Sequence, residues 1–176
     1  MIVTTPKRLQ VKVPVRLAGF SLIEVLVALI ILAIGVMSIA VMQLATYKQL
    51  QTSHNLSNAA TLAAEIADRM LANDPNALPR YIHDAAPEDP PECIGVGAIC
   101  DINDMADYDV TQWQAKVTAG ASMPGSLPSG AGEINTVGGD YQITVRWDDD
   151  LSGSTGSDCD FSDPNDLDCY RLTVGF

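Results

Sequence analysis

The chain has 176 residues, enough for one domain with its own core and too few for two of ordinary size. Residues 1–19 carry four basic and no acidic side chains, whereas the rest carries six basic and 22 acidic ones, a net charge of −16. So acidic a body argues against nucleic acid as a partner, because phosphate binding needs clustered Lys and Arg. A basic head before an acidic body instead indicates a membrane-targeted protein whose body lies outside the cytoplasm.

An apolar segment follows the basic head. Residues 25–42 carry no charge, and only Gly35 and Ser38 interrupt the aliphatic side chains. This length is about what is needed to cross a hydrocarbon core of roughly 30 Å. An ordinary signal peptide is the alternative, but the apolar run is too long for one and no A-x-A-like site follows it. The segment therefore predicts a membrane-spanning helix.

The helical pattern continues beyond the apolar segment. Apolar residues recur at spacings of three and four: Leu56, Ala59, Ala60, Ala63, Ile66, Ala67 and Met70. The sequence Asn73-Asp74-Pro75 is a stop signal. We therefore predict one helix over residues 20–72, whose first half lies in lipid and whose second half packs on a domain.

The C-terminal part predicts a small sheet. Residues 74–106 are rich in proline and indicate a loop, and residues 107–121 predict a short helix around Trp113 that ends before Met123. Alternating apolar side chains predict strands over 133–137, 141–147 and 170–176. An antiparallel sheet of three or four strands, packed on the second half of the long helix, makes the fold class α+β. Trp113 and Trp147 are predicted to be core aromatics.

The four cysteines form two close pairs in the sequence. An even number in an exported domain indicates two disulfides, for which three connectivities exist. The local one, Cys93 with Cys100 and Cys159 with Cys169, is favoured because each pair encloses a short loop rich in turn residues. The alternative is a four-cysteine zinc site, although neither pair has the usual C-x-x-C spacing.

A lone carboxylate stands at the start of the apolar segment, where residues 19–29 read GFSLIEVLVAL. A charge beside such a run is costly, so it usually has a purpose. One interpretation is a capping box, with Ser21 as N-cap and Glu24 at the third helical position. This interpretation accounts for those two residues, but not for a basic head that ends in Gly19 immediately before Phe20.

The string over residues 16–42 closely resembles the class III signal of type IV pilins and of the pseudopilins of type II secretion. The resemblance implies a type IV pilin-like fold, with a long N-terminal α-helix packed on a C-terminal antiparallel β-sheet. In that family, prepilin peptidase at the cytoplasmic face of the inner membrane cuts after the glycine and methylates the new terminal amine. Cleavage would thus separate Gly19 from Phe20, and Phe20 would be N-methylated.

The same resemblance divides the chain into three parts. Residues 1–19 would be the prepilin leader peptide, 20–47 the transmembrane and filament-core half of the helix, and 48–176 a periplasmic pilin-like domain. Glu24 would be the family's fifth-position glutamate. Inside a filament its carboxylate needs a cationic partner, and the terminal amine of Phe20 in an adjacent subunit is the obvious one. Phe20 and Glu24 are therefore the predicted subunit-docking pair.

Two features favour a minor pilin over a major one. Residues 31–37, followed by Gln43, are more similar to minor pilins, and major pilins often carry a proline where this sequence has Val41. The implied role is to prime pilus assembly, which supports adhesion and twitching motility. The implied partners are prepilin peptidase, other minor pilins, the major pilin, a large pilus-tip adhesin and, before assembly, inner membrane lipid. A minor pseudopilin is the alternative.

Acidic residues crowd the segment 148–168. They are Asp148, Asp149, Asp150, Asp158, Asp160, Asp163, Asp166 and Asp168. Such oxygen density invites a Ca²⁺ interpretation, but an EF-hand starting at Asp158 would need glycine where Asp163 stands and glutamate where Cys169 stands. An irregular Ca²⁺ loop remains an alternative to a solvated acidic loop, which is favoured, and no metal site is predicted.

Nothing in the sequence predicts catalysis. His54 and His83 have no thiolate to activate if both disulfides form, and the Gly-rich residues 125–139 lack the lysine of a phosphate loop. We therefore expect no enzyme activity and no cofactor.

Overall fold

The computed structural model describes residues 19–95, 97–119, 126–160, 162–163 and 165–175. Its elements are helix α1 (Leu22–Ala72), a 3₁₀ helix (Pro75–Tyr81), helix α2 (Ile102–Thr118), and strands β1 (Ala131–Val137), β2 (Asp140–Trp147) and β3 (Asp168–Val174). The strands form an antiparallel sheet in the order β1-β2-β3. A long N-terminal helix with a small antiparallel sheet confirms the α+β, pilin-like fold class.

Two sequence predictions fall outside the described residues, namely the leader up to residue 18 and the last strand residue, Phe176. Helix α2 ends at Thr118, three residues before its predicted end at residue 121. The chain divides into two compact units, of which the first ends at Ala45 and the second begins at Thr46. The boundary that we drew from the sequence lies two residues later, between residues 47 and 48.

Both ends of α1 follow from local hydrogen bonds. At its start, the backbone oxygen of Ser21 accepts from the amides of Glu24 at 3.0 Å and Val25 at 3.3 Å. At its end, the Asn73 side-chain oxygen accepts from the Asp74 amide at 2.8 Å, which turns the chain before Pro75. The predicted stop at Ala72 is confirmed, and the helix begins two residues after the predicted Phe20.

The prediction of a loop over residues 74–106 is wrong at both of its ends. Residues Pro75–Tyr81 form a 3₁₀ helix, which begins where the Asp74 carboxylate accepts from the Asn76 amide at 2.8 Å. Helix α2 begins at Ile102 rather than at residue 107, because the Asp101 carboxylate caps its first amides. Asp104 completes this capping box from the third helical position, where glutamate or glutamine is the usual signal.

The core of the second unit joins α2, the sheet and the C-terminal half of α1. Five of the predicted stripe residues on α1 are buried in it: Ala59, Ala63, Ile66, Ala67 and Met70. Trp113 has no exposed surface, and its indole nitrogen donates to the Leu62 carbonyl of α1 at 2.9 Å. Its ring lies against Gly132 of β1, where an added Cβ would come within 2.5 Å of it. The core positions predicted for Trp113 and Trp147 are confirmed.

A polar cluster fastens the end of α1 to the 3₁₀ helix and α2. The carboxylate of Asp109 accepts from Arg69 at 3.0 Å and from the Tyr81 hydroxyl at 2.8 Å. Burial raises the pKa of Tyr81, so the hydroxyl keeps its proton and acts as a donor. The Arg80 guanidinium forms a bidentate ion pair with the Asp107 carboxylate, with both N···O distances 2.6 Å. These contacts fix how the three helices meet.

Candidate processing and assembly site

The predicted cleavage point lies immediately before α1. Gly19 and Phe20 precede the helix, and the Phe20 side chain is 82% exposed. Apart from Gly19 itself and its chain neighbours, no atom of the described residues lies within 4 Å of a Cβ built on Gly19. Packing among the described residues therefore does not require glycine at this position.

Glu24 occupies the third position of α1, with Ser21 as the residue before the helix. These are the positions that a capping box requires. A carboxylate in the first turn also interacts favourably with the positive end of the helix dipole. The dipole interaction helps to begin the helix, and neither it nor a capping box requires that the remainder of the segment be apolar.

The N-terminal half of α1 presents its apolar side chains outward. The large ones from Leu22 to Leu44 are all exposed, and a stretch of α1 is long and apolar enough to cross a membrane. Apolar surface on this scale is unfavourable in water. The segment therefore needs lipid or neighbouring apolar helices as its surroundings.

Residues 16–40 match the family model described as the prokaryotic N-terminal methylation motif. The match supports a type IV pilin-family protein. No curated protein and no solved structure matches the chain.

The matched motif supports those functional predictions that hold for the pilin family as a whole. It fits a pilin or a pseudopilin, it implies processing by prepilin peptidase and assembly with other pilins, and it is compatible with anchoring in the inner membrane. It also suggests a structural role rather than an enzymatic one. The motif does not distinguish one member of the family from another.

The four cysteines lie in the second unit. The structure contains the disulfides Cys93–Cys100 and Cys159–Cys169, each with a Cα–Cα distance of 5.6 Å, and no described cysteine is free. With all four sulfurs in covalent pairs, the alternative of a four-cysteine zinc site has no thiolate to supply. Both bonds close short loops, as the local connectivity requires.

The acidic segment 148–168 uses its carboxylates to shape its own backbone. Asp148 accepts from the amides of Ser152 at 3.1 Å and Gly153 at 2.8 Å, and it is 4% exposed. Asp166 likewise accepts from the amides of Asp158 and Asp160. The prediction of a solvated loop is wrong for Asp148, because sequence alone did not reveal that nearby amides would satisfy its carboxylate.

Asp149 connects this segment to α1. Its carboxylate accepts from Thr52 at 2.5 Å, from Asn55 at 2.8 Å and from the indole of Trp147 at 3.2 Å. The sequence did not predict this contact. The available signal was a pair of polar residues, Thr52 and Asn55, on the turn of α1 that precedes the apolar stripe.

Asp168, at the start of β3, provides a test of these electrostatics. Partial burial and the neighbouring carboxylates of Asp149, Asp150 and Asp148 raise its pKa. A carboxyl whose pKa is higher in the folded state makes the fold less stable as the pH rises from its unfolded value of 3.8 through the higher folded value. We therefore expect Asp168→Asn to raise the melting temperature at pH 7 and to have little effect at pH 3.

The control for this prediction is Asp84→Asn, which removes the same charge from an exposed position between the 3₁₀ helix and α2. Thermal unfolding of the full chain in detergent, followed by circular dichroism at both pH values, measures the difference. Equal effects of the two variants at pH 7 would mean that net charge, and not the position of Asp168, is responsible.

Proposed function

We propose that the chain is a minor pilin of the PilV kind, which prepilin peptidase processes between Gly19 and Phe20 and which helps to initiate type IV pilus assembly. The observation that carries this proposal is the methylation motif, followed by a half-helix whose apolar side chains face outward. Such a helix suits a subunit that waits in lipid and then moves among the helices of a filament.

The proposed mechanism depends on the bond between Gly19 and Phe20. Cleavage removes the basic leader and produces an α-amine on Phe20, which the peptidase then methylates. In the filament, this amine pairs with the Glu24 carboxylate of an adjacent subunit. Pairing matters because either charge alone would incur a large desolvation cost among apolar helices. The pair also sets the axial register between subunits.

A minor role is supported by the composition of α1. The helix contains no proline between Leu22 and Ala72, and Val41 stands where major pilins often have one. We infer that the subunit joins other minor pilins in a priming complex beneath a large tip adhesin, and that adhesion and twitching motility depend on it indirectly. A minor pseudopilin of type II secretion is the second candidate, because the matched motif fits both.

Deleting the chain tests the proposal. We expect the loss of most surface pili with protein secretion unchanged, because a priming subunit acts before the shaft grows. Electron microscopy of sheared pili and an assay of secreted protein measure the two outcomes. Lost secretion with normal pili would favour the pseudopilin, and normal pili with lost adhesion would favour a surface-binding role.

Complementing the deletion strain with variants shows whether pilus assembly requires cleavage of the chain or only its presence. Gly19→Val should remain as the uncut precursor and fail to restore pili. Gly35→Val is the matched control, since an added Cβ at Gly35 also meets nothing within 4 Å among the described residues. It should be cleaved normally, as shown by the size of the product on a gel.

A further inference from the structure

The loop closed by Cys93 and Cys100 is an apolar feature on an acidic unit. Its sequence between the cysteines, IGVGAI, holds no charged or hydrogen-bonding side chain. Ile94 is 73% exposed and Ile99 is 93% exposed, the highest value among the large apolar side chains of the described residues. Exposed apolar residues scattered singly are ordinary, but two isoleucines in one short closed loop form a local patch.

The described residues of the loop, 93–95 and 97–100, are also constrained in shape. The disulfide joins its ends, and the Ala98 amide donates to the Gly95 carbonyl at 3.4 Å. Gly95 and Gly97 have φ values of 129° and 92°, which other residues rarely adopt. A preorganised loop loses little conformational freedom on binding, so its apolar contacts contribute more fully to affinity.

A shallow cleft beside the loop extends the apolar surface. It has a volume of about 660 Å³, and its lining includes Ala72 of α1, Cys100, and Ile102 and Met105 of α2. A partner that receives the loop could therefore also cover this cleft. Because Cys100 ends the loop and also lines the cleft, the two apolar features lie next to each other.

Acidic side chains surround the ends of the loop. Glu88, Asp89 and Glu92 precede it, Asp101 follows it, and all four are exposed. A second copy of this chain would bring the same charges against them, and anionic lipid would do likewise. The complementary surface is an apolar pocket with Lys or Arg at its rim.

We propose that the Cys93–Cys100 loop is a docking plug, which inserts Ile94 and Ile99 into an apolar pocket rimmed by Lys or Arg on a different protein subunit. This inference goes beyond the proposed function. It concerns a surface of the second unit and requires neither leader cleavage nor a particular kind of filament.

Photo-crosslinking tests the plug in the full chain. Benzoylphenylalanine at position 99, activated in membranes prepared from the native host, should yield an adduct with a different protein. Peptide sequencing should place that adduct in an apolar segment with Lys or Arg beside it. With the crosslinker in place, Ile94→Ser should lower the yield by about fivefold, as expected for a contributing interface side chain. Val137→Ser, an exposed apolar residue at the end of β1, is the matched control and should leave the yield unchanged.

A charge variant tests the rim. Glu88→Gln combined with Glu92→Gln should lower the crosslinking yield below that of the unaltered plug. Raising the salt concentration should lower the yield of the unaltered plug but not that of the double variant. Adducts with lipid alone, adducts with a second copy alone, no adduct, or an adduct in a surface without Lys or Arg would each overturn the proposal. So would an unchanged yield in Ile94→Ser, whose disulfide is checked on a non-reducing gel.

Discussion

Glu24→Ala should be inserted into the membrane and cleaved after Gly19 like the unaltered chain, yet fail to enter filaments. Insertion depends on the apolar segment that follows, and Glu24 contributes no apolar surface to it. Incorporation, by contrast, depends under the proposed mechanism on pairing the Phe20 amine with a carboxylate. Without Glu24 that amine would be buried among apolar helices with no partner. Fractionation of membranes and sheared filaments, followed by immunoblotting, measures the two steps separately.

Two control variants distinguish docking from helix capping. Glutamine can replace glutamate in a capping box but carries no charge, so Glu24→Gln should keep the helix start and still fail to enter filaments. Ser21→Ala removes the other capping residue, at a typical cost of about 1 kcal/mol of helix stability, and should enter filaments. If Glu24→Gln assembles normally while Ser21→Ala does not, capping is the main role of Glu24.

Trp113→Ala should reduce the free energy of unfolding of the second unit by about 3–5 kcal/mol. The indole is fully buried among α1, α2 and β1, and it donates to the Leu62 carbonyl. Truncation leaves a cavity and removes the indole hydrogen bond to α1. Since domains of this size are stable by about 5–15 kcal/mol, the loss is large. Urea titration of the full chain in detergent, followed by tryptophan fluorescence of Trp147, measures it.

Two further variants test whether the loss of stability comes from the lost apolar volume or from the lost indole hydrogen bond, and whether it requires a buried position. Trp113→Phe keeps most of the apolar volume and loses the indole donor, so it should cost less than the alanine variant. Tyr47→Ala removes an aromatic side chain that is 68% exposed, and it should have almost no effect. A Trp113→Ala variant as stable as Tyr47→Ala would show that the second unit has no single core around this residue.

The sequence predicts best where a period or a stop signal is strong. Alternation over residues 141–147 identified β2, and Asn73-Asp74-Pro75 identified the end of α1. The early start of α2 was missed because Asp104 stands where a capping box usually has glutamate, and because nearby prolines indicated a loop. Aspartate side chains can cap helix starts and turns alike, so the position of an aspartate in the sequence does not show which of the two it caps.

The tertiary roles of polar residues could not be predicted in the same way. Asp149 lies 94 residues from Asn55 in the sequence, and nothing local pairs them. The candidate processing site, by contrast, is local in the sequence. Gly19, Phe20 and Glu24 lie within six residues and are read in order, so the linear motif contains most of what the site requires. The loop between Cys93 and Cys100 was predictable only in part, since its lack of charge was visible in the sequence but its exposure was not.

The contact between Asp149 and α1 also has a mechanical consequence. If the proposed subunit is pulled through its N-terminal helix in a filament, the load reaches Thr52 and Asn55 before the buried stripe of α1. Their hydrogen bonds to Asp149 join α1 to the segment after β2, and Thr52 is exposed to solvent. Under force these bonds would be the first to shear, so the segment after β2 would detach from α1 before the core around Trp113 is strained.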